Sequence, residues 1–232
     1  MKSKEDNGYR FLLFCGVLAP IIMGVVIIVV GQLTSDYNQV SDSISLMGTA
    51  DKPYAWFLHG GYYIYGILMG IAAYGLSRTI GPAPNTNSLA ILLGIHAFGT
   101  VLLAVFPDSI DSTLKHVVHD IMSTISYLPL LIGIFVTRSI ARTEITLRVV
   151  GILGIFIITI NLPMPVINMF SPLAVIGGLL QRVLAGCTYF WIMLMFLLLY
   201  RKRRSIECLI DSIEMSYPAL PREGVLFNQS QE

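Results

Sequence analysis

Charge is scarce in this chain. Asp, Glu, Lys and Arg make up 12% of its 232 residues, about half of the roughly 25% carried by an ordinary soluble domain. So thin a polar coat does not cover a water-facing surface around one core, but it suits helices whose outer faces meet lipid. The net charge of +1 gives no reason to expect a nucleic-acid partner. Cysteine is nearly absent: Cys15 and Cys187 sit in apolar runs and Cys208 in a polar tail, which is neither a disulfide framework nor a zinc spacing. Also missing are a His-Glu-x-x-His helix, a nucleophile elbow, a phosphate-cradling glycine loop and a dinucleotide fingerprint.

What is abundant is apolar sequence, at 55% of the chain. Crossing the hydrocarbon layer as a helix takes about 20 mostly apolar residues. Six stretches reach that length: Phe11–Leu33, Tyr54–Leu76, Ser88–Phe106, Val117–Val136, Leu147–Ile167 and Gly177–Tyr200. The first is too long for the apolar part of a signal peptide, and no small-residue cleavage site follows it at Gln32-Leu33-Thr34, so it reads as a span. Asn161, Pro163, Pro165 and Asn168 interrupt the end of the fifth, which either crosses fully or stops near Leu162. The expected fold is therefore an all-α integral membrane protein: a short N-terminus (1–10), a six-helix bundle (11–200) and a basic, then disordered tail (201–232). Gly66 and Gly70 in the second stretch share a helical face and permit close helix approach.

Lys and Arg crowd toward the inner side of a membrane. With six spans, one side holds Lys2, Lys4, Arg10, Arg78, Arg138, Arg142, Arg148, Arg201, Lys202, Arg203, Arg204 and Arg222. The other holds only Lys52, Lys115 and Arg182. Both termini are expected in the cytoplasm. The basic run Arg201–Arg204 reads as a stop-transfer anchor.

Ionisable groups inside a membrane are costly and tend to mark function. The densest set opens the fourth stretch, where His116, His119 and Asp120 share one face at helical spacing and Ser123 and Tyr127 extend it. With Asp108, His59 and Arg182 they form a candidate ligand pocket opening to the outer side. Arg182 is expected within reach of an inward carboxylate such as Asp120. His96, near mid-membrane, reads as a hydrogen-bonded interior residue. The leading expectation is a non-enzymatic protein of the lipid bilayer that binds a lipid or small polar ligand there, without a cofactor. One alternative is a metal-dependent lipid hydrolase with zinc on His59, His116 and His119, a set that suits zinc by ligand type. Another is a small transporter.

Several short runs carry a resemblance. They are Gly16-Val-Leu-Ala-Pro20, the loop Tyr37-Asn-Gln-Val-Ser41-Asp42-Ser43-Ile44-Ser45-Leu46-Met47-Gly48, and Pro53-Tyr54-Ala55-Trp56. Phe106-Pro107-Asp108 ahead of a histidine and Gly178-Leu-Leu-Gln181-Arg182 complete the set. Together, over most of residues 10–200, they resemble the prokaryotic membrane family named domain of unknown function 998. There is a looser similarity to the Frag1/DRAM/Sfk1 type of six-helix membrane protein. The resemblance implies a six-helix fold in a cell membrane and no established reaction. Met47, a long tail and Gln181, where the family more often has Glu, depart from the pattern. The last puts in doubt any role that needs a Glu-Arg pair.

Overall fold

The computed structural model describes residues 2–79, 85–109, 111–140, 147–161 and 175–216. These form six α-helices and no strand: α1 (Lys2–Leu33), α2 (Ala55–Thr79), α3 (Thr86–Val105), α4 (Thr113–Ile140), α5 (Arg148–Asn161) and α6 (Gly177–Ser216). A short 3-10 turn, Ser45–Gly48, sits in the loop between α1 and α2. The rest of the fifth stretch, residues 80–84, 110 and 141–146, and the tail past 216 lie outside the described residues.

Hydropathy explains the helices. Gly8–Leu33, Thr86–Val105, Thr113–Ile140 and Gly177–Ser205 are each long and apolar enough to cross a membrane. In α2, of 25 residues, Tyr62, Tyr63, Tyr65, Tyr74 and His59 dilute the hydropathy. The outward faces carry Phe11, Ile28, Ile67, Ile91, Phe98, Phe135 and Phe156, all more than half exposed, a surface that only lipid satisfies. This is a membrane protein.

Each helix packs on its neighbours in sequence, and α6 closes the ring on α1. Directions alternate. At one end Arg10 donates to the Tyr200 hydroxyl (3.2 Å), joining the start of α1 to the membrane part of α6. Asn85 reaches Ser139 there (3.1 Å), joining the start of α3 to the end of α4. Small residues set the spacing. A Cβ on Gly66 would lie 2.8 Å from the Ala97 carbonyl and one on Gly99 2.6 Å from the Ser126 nitrogen, so α2–α3 and α3–α4 approach at backbone distance. Gly70 also faces Ala97, so the glycine pair of α2 is directed at α3.

Midway through the bundle the polar groups are paired. His96 Nδ1 meets the Ser126 carbonyl at 2.8 Å and Nε2 meets the Tyr65 hydroxyl at 2.8 Å. A carbonyl only accepts, so Nδ1 carries the proton and Tyr65 donates to Nε2. Thr100 donates to the His96 carbonyl (2.9 Å) and lies 2.9 Å from Ser126 Oγ. His96 is thus the hydrogen-bonded interior residue its sequence position suggests. Tyr65→Phe, which leaves Nε2 without a donor, should lower stability by about 1 kcal/mol, read as a fall in melting temperature in detergent.

Several helices run past the expected stretches, α1 for one beginning at Lys2 rather than Phe11. The helix α4 begins at Thr113 rather than 117, because the Ser112 hydroxyl accepts from the Lys115 N–H (3.4 Å) and its carbonyl from the His116 N–H. That makes Ser112 the N-cap. And α6 continues beyond the basic run to Ser216, where disorder was expected. Arg and Lys are good helix formers, so a stop for the membrane is no stop for the helix.

Candidate functional site

The loop between α1 and α2 is held onto the first turn of α6. Helices leave their first N–H groups unpaired; here Gly178 N–H donates to the Ser41 carbonyl (3.2 Å) and Leu179 N–H to that of Val40 (2.8 Å). The loop supplies the cap from its backbone. Gln181 Oε1 accepts from the Ile44 N–H at 2.7 Å, so the amide oxygen at this position does what a carboxylate oxygen would do. Arg182 Nη1 donates to the carbonyls of Asp42 (2.9 Å) and Gly178 (2.8 Å). Its Nη2 donates to the Tyr37 hydroxyl, and its guanidinium lies 5.2 Å from the Tyr37 ring centroid.

Tyr37 in turn donates toward the Ser43 carbonyl (2.9 Å). Burial pushes its hydroxyl above the ordinary value, against the opposing pull of Arg182, so the phenol stays neutral and able to donate. The Asp42 carboxylate accepts from Asn38 N–H and the Ser41 hydroxyl, and these bonds, Asn38 first, hold it below the usual carboxylate range. Arg182 is therefore a clamp on two carbonyls and a phenol. It is not joined to Asp120, as the sequence reading expected.

His59 lies one turn inside α2, and its Nε2 meets the Gly48 carbonyl at 2.9 Å. That ties the 3-10 turn to the helix. Its other nitrogen, Nδ1, is buried and has no hydrogen-bond partner. His119 is buried, and its Nδ1 meets the Phe106 carbonyl at 2.9 Å, satisfying an acceptor left over where α3 ends.

The remaining three residues sit at the rim. Asp108 accepts from His116 Nδ1 at 2.7 Å, and His116 Nε2 is 3.6 Å from an Asp120 oxygen. His116 and Asp120 are exposed. The helical face shared by His116, His119 and Asp120 therefore does not turn inward as a unit. The buried face of α4 runs through His119, Ser126, Leu130, Gly133, Thr137 and Ile140, and Tyr127 lies off it.

Burial pushes the Asp108 carboxyl upward, but the His116 hydrogen bond, the Ser109 N–H and the neighbouring His119 and His116 charges outweigh that and hold it below the usual range. A depressed carboxylate adds stability above its ordinary pKa of 3.8 and loses that contribution as pH falls through the lower folded value. Melting temperature should decline on that acid limb, and Asp108→Asn should flatten it.

Among the described residues, no group of three or more His, Cys, Asp or Glu side chains converges so as to hold a metal ion. His59, His116 and His119 each meet a different partner, the Gly48 carbonyl, Asp108 and the Phe106 carbonyl. Sequence reasoning also missed Tyr37, Gly178 and Gln181 as functional contacts. Their only signal was membership of the two runs Tyr37–Gly48 and Gly178–Arg182, which the fold brings into contact.

No curated protein and no solved structure matches the chain. A family model described as a protein of unknown function, DUF998, matches residues 17–198. That range holds both runs and part or all of every helix of the ring, and the chain belongs to the DUF998 family.

Proposed function

We propose that this is a multi-pass protein of the cell membrane that crosses six times and binds a lipid or small polar ligand at its outer end, without covalent chemistry. Charge supports the orientation. Arg10, Arg78, Arg138, Arg148 and Arg201–Arg204 gather at the Arg10–Tyr200 end, while Lys52, Lys115 and Arg182 lie at the other. By the positive-inside tendency that favours both termini in the cytoplasm. Alternating helix directions support an even number of crossings, since α5 starts near Trp191, whose Nε1 donates to the Val150 carbonyl (2.9 Å), and α6 starts under the outer loop.

One observation carries the binding reading: the unpartnered, buried Nδ1 of His59. Buried polar atoms are nearly always paired, and an exception calls for a water, ion or ligand. His96, with both nitrogens paired inside the bundle, shows how this fold treats a histidine that is only structural. The test is to purify the full chain in mild detergent, identify co-purified lipid by native mass spectrometry and scan lipids for thermal stabilisation. Retained lipid with a clear rise in melting temperature is expected. A chain that carries none and gains no stability from any lipid or small polar compound would falsify the reading.

A further inference from the structure

The proposal that follows rests on the binding reading above and concerns the chemistry of the ligand. A carbonyl only accepts hydrogen bonds, so the His59 nitrogen held 2.9 Å from the Gly48 carbonyl must carry the proton. No acid pairs with His59 among the described residues, which leaves the neutral ring. Its buried, unpartnered Nδ1 is then a lone pair, and only a donor satisfies it. The ring cannot turn away to hide that lone pair without breaking the Gly48 bond. Gly48 also packs against it, since a Cβ there would lie 3.3 Å from the His59 ring carbon Cε1.

His119, near enough to act electrostatically on His59, has its Nδ1 held by the Phe106 carbonyl. The guanidinium of Arg182 is already occupied by two carbonyls and a phenol. The group left without a partner here is an acceptor, which favours N–H or O–H.

Depth decides between a bilayer and a solution source. Trp56 is 71% exposed, and exposed tryptophan marks the membrane–water interface. His59 follows three positions later, about 4.5 Å deeper along the helix, at head-group level. We infer that His59 Nδ1 receives a hydrogen bond from the head group of an outer-leaflet lipid bearing N–H or O–H donors, the primary ammonium of an ethanolamine head group being the donor-rich case.

The methylation series from phosphatidylethanolamine through its N-methyl and N,N-dimethyl forms to phosphatidylcholine removes donors at constant charge. Apparent affinity of the full chain, measured by native mass spectrometry with added lipid, should fall roughly tenfold across the series, the worth of one charge-assisted hydrogen bond. Phosphatidylglycerol, with hydroxyl donors, should bind better than phosphatidylcholine. His59→Phe removes the ring acceptor along with the Gly48 bond, and should level the series. Should that variant fail to fold, isotope-labelled histidine NMR of the wild type serves instead. The His59 Nδ1 signal should move with phosphatidylethanolamine and not with phosphatidylcholine.

A flat series in a chain that still binds lipid would overturn the donor assignment while leaving the binding reading intact, a water then being the partner of Nδ1. Stabilisation by free ethanolamine or glycerol equal to that by the lipids would overturn the lipid source. Absence of any binding would remove both readings together.

Discussion

Replacing Gly178 with valine should destabilise the protein by about 3 kcal/mol and release the loop between α1 and α2 from α6. A Cβ at this position would run into the Asp42 carbonyl oxygen and lie 2.7 Å from the Asp42 nitrogen. Both are backbone atoms, which have no rotamer to yield. The loop must therefore lift, and lifting it breaks the Gly178–Ser41 and Leu179–Val40 bonds along with the Gln181 and Arg182 contacts to residues 42–44. The first turn of α6 is then left with unpaired N–H groups. Gly186→Ala is the matched control on the same helix. A Cβ there meets nothing within 4 Å, so the helix gains about 1 kcal/mol of propensity at most. Thermal melts in detergent separate the two, and faster hydrogen exchange over residues 38–48 should accompany the valine variant alone.

The same dock shows what the sequence could and could not disclose. Run lengths locate the helices well, because a hydrocarbon layer about 30 Å thick imposes a length on whatever crosses it. Helix ends were less legible. Ser112 draws α4 outward by capping it, and the basic run after Tyr200 continues α6, and neither effect appears in a count of apolar residues. The orientation of α4 was misjudged for a related reason. Residues 116, 119 and 120 do share a helical face, but the bundle contacts the helix along a seven-residue repeat, His119–Ser126–Gly133–Ile140. That repeat leaves 120 and 127 to one side.

At the site, scarcity of ionisable groups singled out His59, His119, Asp108 and Arg182. Their partners stayed hidden. His59, His119 and Arg182 all bond to backbone carbonyls, and a carbonyl is present at every position, so it leaves no mark in the sequence. Reasoning from side chains alone paired Arg182 with a carboxylate, the one acceptor that sequence makes visible.

Arg182→Ala is the second large effect, expected to lower stability by roughly 3 kcal/mol, because hydrogen bonds from a charged donor contribute about 1.5–3 kcal/mol and removing them strands their acceptors. The three oxygens that Arg182 reaches belong to the loop, to its own helix and to Tyr37. Lysine keeps the charge but not the planar fork, so it cannot span the Asp42 carbonyl and the Tyr37 hydroxyl at once. Stability should rank wild type, Arg182→Lys, Arg182→Ala. If lysine restored full stability, charge rather than geometry would be the working element, and the clamp would be the wrong description. A double-mutant cycle with Gly178→Ala sharpens the point. Both substitutions act on the seat of Asp42, so once the loop has lifted away from the glycine there is little left for the arginine to lose. The combined destabilisation should fall short of the sum by 1 kcal/mol or more, roughly the coupling of residues within one hydrogen-bond network. Full additivity would mean that the two residues hold the loop independently.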